Sequence, residues 1–442
     1  MTLILISFAV LLMMIMLLRI PIAFAMGVVG FFGFAILNGL TWENIGNFRW
    51  SIPLSMASNR IVDTAQDYGL SIIPLFILMG NLITRSGLSK QLYAASYAFL
   101  CHKKGGLAMA TIAACGGFSA VSGSSLATAA TMAKVAMPPM RKYGYSDALA
   151  TASIASGGTL GILIPPSVML IVYGLLTETS IRELFAAGLI PGILGIFLYL
   201  GAVKYVVWRD PSAGPSAEVM SWAERLHALK GVRDILGLFI LVMGGIYLGI
   251  FTPTEAAGIG AGGALVIALL RRSLSLSSLF KTLADSALTS ATLFVIIIGA
   301  LIFSDFINRA GLPGMMVDFV LSLDVAPILV IFVILMIYII LGMVLESFSM
   351  LLLTIPVFFP IVSELGYSLV WFGIVAVIVV EISLITPPVG MNVFVLSSII
   401  RDVKTGTIFR GVLPFWTADI ICLLLVVFIV QISTWLPDMI YK

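Results

Sequence analysis

Gly157-Gly158-Thr159-Leu160-Gly161-Ile162-Leu163-Ile164-Pro165-Pro166-Ser167 lies inside an otherwise apolar run. Adjacent prolines remove two amide donors and clash with the preceding turn, so no regular helix continues through them. The same device returns 222 residues later, in Thr386-Pro387-Pro388-Val389-Gly390-Met391-Asn392. The offset holds outward from there: Ser125 pairs with Ser347, Pro138 with Pro360, and Gly144-Tyr145-Ser146 with Gly366-Tyr367-Ser368. Gly188 and Pro191 match Gly411 and Pro414 at 223. A near-constant offset of this kind is a duplication. In a membrane chain it marks a secondary transporter built from two structural repeats, with its site where Pro, Gly and Ser interrupt apolar runs.

Composition sets the medium. The chain has 442 residues, 60% hydrophobic and 10% charged, against about 25% charged in soluble domains. Apolar runs of roughly 17–25 residues each cross a bilayer, and about ten to twelve spanning or re-entrant segments are expected on that length. All are expected to be helical, because hydrocarbon offers nothing to an unpaired amide. The short alternating segments of a β-barrel are missing. The first residues, Met1 to Leu18, carry their first positive charge only afterwards, at Arg19, so they read as a retained helix rather than a secretory signal.

Charge placement gives topology. His102-Lys103-Lys104 precedes the segment 107–140 and Arg141-Lys142 follows it, which puts both ends on the cytoplasmic side. The stretch between is too short for two full spans, so a re-entrant hairpin is predicted, its tip near Ser122-Gly123-Ser124-Ser125. In the second copy no Lys or Arg occurs between Gly311 and Ile400, and that hairpin is predicted to open to the other face. The expected organisation is an N-terminal half over 1–207, with hairpin 107–140 and broken helix 147–176. A polar connector over 208–234 follows, partly amphipathic. The C-terminal half, 235–442, holds hairpin 325–363 and broken helix 366–400.

Three places carry candidate chemistry. Gly116-Gly117-Phe118-Ser119-Ala120-Val121-Ser122-Gly123-Ser124-Ser125 would free backbone carbonyls beside hydroxyls, suiting a hard monovalent cation. A free helix N-terminus suits a carboxylate. Gly/Ser/Ala runs also serve as packing faces in lipid, and both readings stand. The break at Pro165-Pro166 must face protein or a water-filled cavity, either as a site or as a plain kink. In Gly342-Met343-Val344-Leu345-Glu346-Ser347-Phe348-Ser349, Glu346 is an acid near a hairpin tip with no basic residue around it, so a cation or proton is its natural companion. Glu381 and Asp305 are further intramembrane acids, and pairing with a helix-end arginine such as Arg309 is the alternative for each. The net charge of +3 says nothing of nucleic acid. Three scattered cysteines and two loop histidines form no metal or redox motif, and no P-loop is present. An enzyme is not expected.

Together, Gly116–Ser125, Gly157–Ser167, Gly249-Ile250-Phe251-Thr252-Pro253-Thr254-Glu255-Ala256-Ala257, Leu341–Ser349 and Thr386–Asn392 resemble the large membrane subunit of tripartite ATP-independent periplasmic (TRAP) transporters. The resemblance covers essentially the whole chain. It implies an all-α, multi-pass protein of the bacterial inner membrane, with inverted repeats and an elevator-type mechanism, of the ion-transporter superfamily. It implies sodium-driven import of organic acids, delivered by a periplasmic substrate-binding protein. It also implies a separate small membrane subunit of about four helices. Carried over, Ser122, Gly123, Ser124, Pro165, Pro166, Ser167, Pro387 and Pro388 would contact substrate. Ser122, Ser125, Gly158, Thr159, Glu346, Ser347, Thr386 and Gly390 would hold sodium. Many relatives have Asp where Glu346 stands, which leaves two roles for the longer side chain, sodium ligand or lock on the hairpin. A stand-alone cation-coupled carboxylate carrier of the same superfamily is the competing reading.

Overall fold

The computed structural model describes residues 2–343 and 345–441, so Val344 of the second hairpin string lies outside the described residues, as do the side chains of Ala120 and Val121. The described chain is helical throughout. Its first half runs α1 (Thr2–Met16), α2 (Ile22–Leu37), α3 (Ser51–Gln66), α4 (Ile72–Arg85), α5 (Leu88–Leu100), α6 (Gly106–Ser122), α7 (Ser125–Lys142), α8 (Asp147–Thr159), α9 (Val168–Thr177) and α10 (Ile181–Arg209). The second half runs α11 (Trp222–Tyr247), α12 (Pro253–Leu270), α13 (Leu276–Arg309), α14 (Leu312–Ser322), α15 (Pro327–Gly342), α16 (Ser347–Glu364), α17 (Leu369–Ile385), α18 (Met391–Ile399), α19 (Thr405–Phe428) and α20 (Gln431–Tyr441).

Five of these helices, α10, α12, α13, α16 and α19, are long and apolar enough to cross a membrane unbroken. A sixth span is possible where α3 and the Gly69–Arg85 segment join at a 58° bend. The remaining apolar segments are shorter helices, because the Pro, Gly and Ser positions divide the runs. The hairpins are α6–α7 and α15–α16, and the broken helices are α8–α9 and α17–α18. Helix starts fall where short polar side chains cap the first free amides. Ser146 accepts from the Leu149 amide and Ser368, its counterpart 222 residues on, from that of Trp371. Such a cap contributes about 1 kcal/mol.

The repeats interlock. The second half of each broken helix lies on the other repeat's hairpin: α9 packs on α16 and α18 on α7. In the same way α10 packs on α17 and α19 on α8. Polar ties reinforce the crossing, since membrane interiors reward satisfied donors. Asn392 Nδ2 donates to the Ala155 carbonyl at 3.0 Å, Tyr173 to that of Leu369 at 2.6 Å, and Trp371 Nε1 to that of Val426 at 2.9 Å. A second group of helices, α2, α4, α11, α12 and α13, packs among itself. At Gly30 of α2 the backbone of α13 comes so close that a Cβ would stand 2.6 Å from Phe303 Cα.

The connector does more than link the halves. The Gly105 amide donates to Gly214 O at 2.8 Å, Ser146 to Ala213 O at 3.0 Å, and Ala217 to Cys101 O at 2.9 Å. It therefore binds both flanks of the first hairpin, and the chain then enters α11. Asp305 is not partnered by Arg309: its carboxylate pairs with Arg60 of α3, at 2.6 and 2.7 Å. Helix α3 runs alongside α13 and presents the guanidinium there.

Candidate functional site

The first hairpin turns at Gly123, whose φ of +59° is the left-handed conformation that glycine adopts freely. Ser124 then caps α7, accepting from the Ala127 amide at 3.4 Å. Ser122 Oγ lies 2.7 Å from Thr128 Oγ1, which ties the two arms together across the turn. The tip rests directly on the first break. A Cβ on Gly161 would stand 3.2 Å from Ser124 O, and one on Gly158 would stand 3.1 Å from Ser125 O and 2.9 Å from Ala129 Cβ. Gly123 reaches the far side of the break, where its Cβ position is 3.6 Å from Pro166 O. Glycines at 158 and 161 are thus what lets the hairpin and the broken helix touch backbone to backbone.

Within the break, Pro165-Pro166 is a cis peptide and wholly buried. Ser167 caps α9, accepting from the Leu170 amide at 3.3 Å while its hydroxyl donates to Ile162 O. Thr159 points elsewhere. Its Oγ1 is 2.7 Å from Ser156 O and 2.9 Å from the Tyr199 hydroxyl on α10.

The second tip uses an acid where the first uses a serine. Glu346 caps α16, with Oε2 accepting from the amide and the hydroxyl of Ser349, both at 3.2 Å. Ser347 is buried beside it. The second break is again a cis Pro387-Pro388 peptide, but Pro387, Pro388 and Val389 are exposed where Pro165 and Pro166 are covered. Thr386 Oγ1 donates to Ile382 O at 2.6 Å and accepts from Trp416 Nε1 at 3.0 Å. Gly390 has a φ of +52° and lies against the Phe409 ring.

Between the tips is a cavity of about 650 Å³. Ser122, Gly123, Ser124 and Ala127 line it from the first hairpin, and Glu346, Phe348 and Ser349 from the second. The facing wall belongs to the other group of helices: Gly80, Asn81 and Thr84 of α4, and Leu288, Thr289, Thr292 and Ile296 of α13. Of the residues singled out in the sequence, Ser122, Gly123, Ser124 and Glu346 meet here. Ser125, Gly158, Thr159, Pro165, Pro166 and Ser167 form the layer behind the first tip. Thr386, Pro387, Pro388 and Gly390 do not line the cavity. Sequence reasoning did not single out Asn81, Thr84, Thr289 and Thr292. They fall in pairs three residues apart on apolar helices, Asn81 with Thr84 and Thr289 with Thr292, and that helical spacing was the available signal.

A cavity walled by two duplicated hairpins and two further helices is a transporter's architecture, and the comparisons agree. Residues 9–432 match the family "Tripartite ATP-independent periplasmic transporter, DctM component". The chain belongs to this family. It is 36% identical to the C4-dicarboxylate TRAP transporter large permease protein of Pseudomonas aeruginosa, over 86% of this chain and 88% of that one. It is 34% identical to the ectoine/5-hydroxyectoine large permease of Ruegeria pomeroyi, over 84% and 87%. It is 31% identical to the sialic acid large permease of Vibrio cholerae, over 88% and 91%. The fold resembles the YdaH transporter of Alcanivorax borkumensis, with a TM-score of 0.59 at 16% identity over 90% of each chain. The TRAP large permease is a multi-pass inner-membrane protein and not an enzyme, as the sequence indicated.

Proposed function

We propose that this TRAP permease is the membrane subunit of a sodium-coupled importer of small organic acids, working by elevator-type alternating access. A small four-helix membrane subunit and a periplasmic binding protein are its partners. The cavity carries this reading: both hairpin tips form one wall, and α4 and α13 form the other. A sliding boundary between two bodies belongs at such a place. The amides at the start of α7, with the Ser122 and Ser124 hydroxyls, suit a carboxylate. At the other tip the Glu346 carboxylate calls for a cation. The relatives named for C4-dicarboxylates and sialic acid support an acidic substrate.

Thr84 and Leu288, which line the cavity, lead in sequence to Arg85 and Lys281, with Arg271-Arg272 further along the same stretch. By the positive-inside rule this end of the cavity lies toward the cytoplasm. Ion and substrate are coupled if each favours the same arrangement of the tips.

The test is uptake into proteoliposomes that hold this chain and its small subunit, across a panel of organic acids. Sodium gradient and binding protein are each supplied or withheld. Uptake that needs both establishes the reading. Uptake with sodium alone points to a stand-alone carrier, and uptake driven only by a proton gradient overturns the sodium assignment.

A further inference from the structure

Away from the cavity, where α8, α10, α17 and α19 meet, lie two carboxylates that transport as described above does not use. Glu381 of α17 is 3% exposed, and its Oε1 has no hydrogen-bond partner. Asp419 of α19 is 6% exposed. The titratable groups facing Glu381 are Asp419 and Cys422 of α19 and Tyr199 of α10. None of these is basic. Helix α17 also packs on the Leu160–Ile162 turn at the first break, and the Leu163 amide there donates to Leu160 O. Glu381 therefore spans the repeats: it stands on the second broken helix and faces the break of the first.

Counting protons decides the charge state. The Tyr199 hydroxyl is 2.8 Å from Asp419 Oδ2 and 2.9 Å from Thr159 Oγ1, and Thr159 Oγ1 is 2.7 Å from Ser156 O. Three close contacts join four oxygens, but tyrosine and threonine each supply one hydrogen and a carbonyl supplies none. With Asp419 ionised, only two of the three contacts hold a hydrogen, and the third sets two buried oxygens against each other. With a proton on Asp419 Oδ2 the chain closes. Asp419 donates to Tyr199, Tyr199 to Thr159, and Thr159 to Ser156 O.

We propose that Glu381 and Asp419 form a proton-binding site between the two repeats, with Asp419 carrying a proton at neutral pH. The site is separate from both hairpin tips, but it shares Thr159 with the residues that the family resemblance would give to sodium: in the closed chain the Thr159 hydroxyl is committed to Ser156 O and Tyr199. Ionising the site would place unpaired negative charge beside the first break, so the proton keeps the two broken helices together.

Infrared spectroscopy of the full chain in lipid, near neutral pH, reads this directly. The difference between wild type and Asp419→Asn is expected to contain the carbonyl stretch of a protonated carboxylic acid. A difference showing only an ionised carboxylate would overturn the proposal. Tyr199→Phe gives a second reading that survives if the Asn variant fails to fold. Removing the acceptor of this hydrogen bond shifts the wild-type acid band to higher frequency. Wild type without such a band, or a band that Tyr199→Phe leaves in place, would also overturn it.

Discussion

Ser124 and Glu346 hold equivalent positions 222 residues apart, and each caps the second arm of its hairpin. One neutral hydroxyl and one carboxylate thus mark the two ends of a single cavity. A cap that is also a cavity wall couples local helix stability to what the cavity holds. Ser124→Ala is expected to cost about 1 kcal/mol as a lost cap and to weaken uptake. Ser124→Leu, which fills the space, should abolish uptake while the protein still folds. Thermal unfolding beside initial uptake rates separates the two effects. Equal uptake by wild type and Ser124→Leu would remove the first tip from the site.

Glu346→Gln keeps the shape and an oxygen to cap α16, but removes the charge. Uptake is expected to fall together with the apparent affinity for the coupling cation, with little loss of stability. Cation titration of uptake checks this. An unchanged cation dependence would leave Glu346 with the locking role alone.

The contact between the first tip and the first break depends on missing side chains. Gly158→Ala places a Cβ 2.9 Å from Ala129 Cβ and 3.1 Å from Ser125 O. Overpacking of this kind costs about 1–3 kcal/mol, and displacing the tip should reduce uptake more than tenfold. Gly201→Ala is the control, because nothing lies within 4 Å of its Cβ position. It should be neutral, or stabilising by up to about 1 kcal/mol through helix propensity.

The Arg60–Asp305 pair joins α3 to α13, with 40% of the arginine side chain and 18% of the aspartate side chain exposed. Surface ion pairs contribute about 0–1 kcal/mol, and this partly buried two-bond pair lies at the upper end of that range. Arg60→Ala should therefore change the unfolding midpoint only slightly. A large loss of uptake with normal stability would show that the pair acts in the transport cycle.

At the polar start of α11, Ser221 and Glu224 form a capping box. The Ser221 hydroxyl, and then its backbone amide, hold the Glu224 carboxyl below the usual range. A lowered folded-state value gives stability that is present above the unfolded-state value and lost as pH falls through the folded one. Wild type should lose this small contribution on acidification, and Glu224→Gln should show a flatter acid limb in a melting series.

The duplication, the helical class and the division into hairpins and broken helices could be read directly. Glycine, proline and serine act on the backbone within a residue or two, and an exact spacing repeats their message. The Pro165-Pro166 and Pro387-Pro388 breaks are the clearest cases. What the spacing could not tell is that the two breaks differ in surroundings, the first covered and the second exposed. That difference depends on which helices of the other repeat come to lie over them.

A membrane medium, a two-repeat plan, and the tips at Ser122–Ser125 and Glu346–Ser349 are legible in the residues, because each follows from local backbone chemistry and the cost of unpaired amides in hydrocarbon. Long-range packing is what takes α9 to α16 and α18 to α7, brings Asp305 to Arg60, and makes α4 and α13 the far wall of the cavity. The same packing brings Thr159 to Tyr199 and Tyr199 to Asp419. Those partners are far apart in sequence, and no local preference of either residue names the other. Packing chose them.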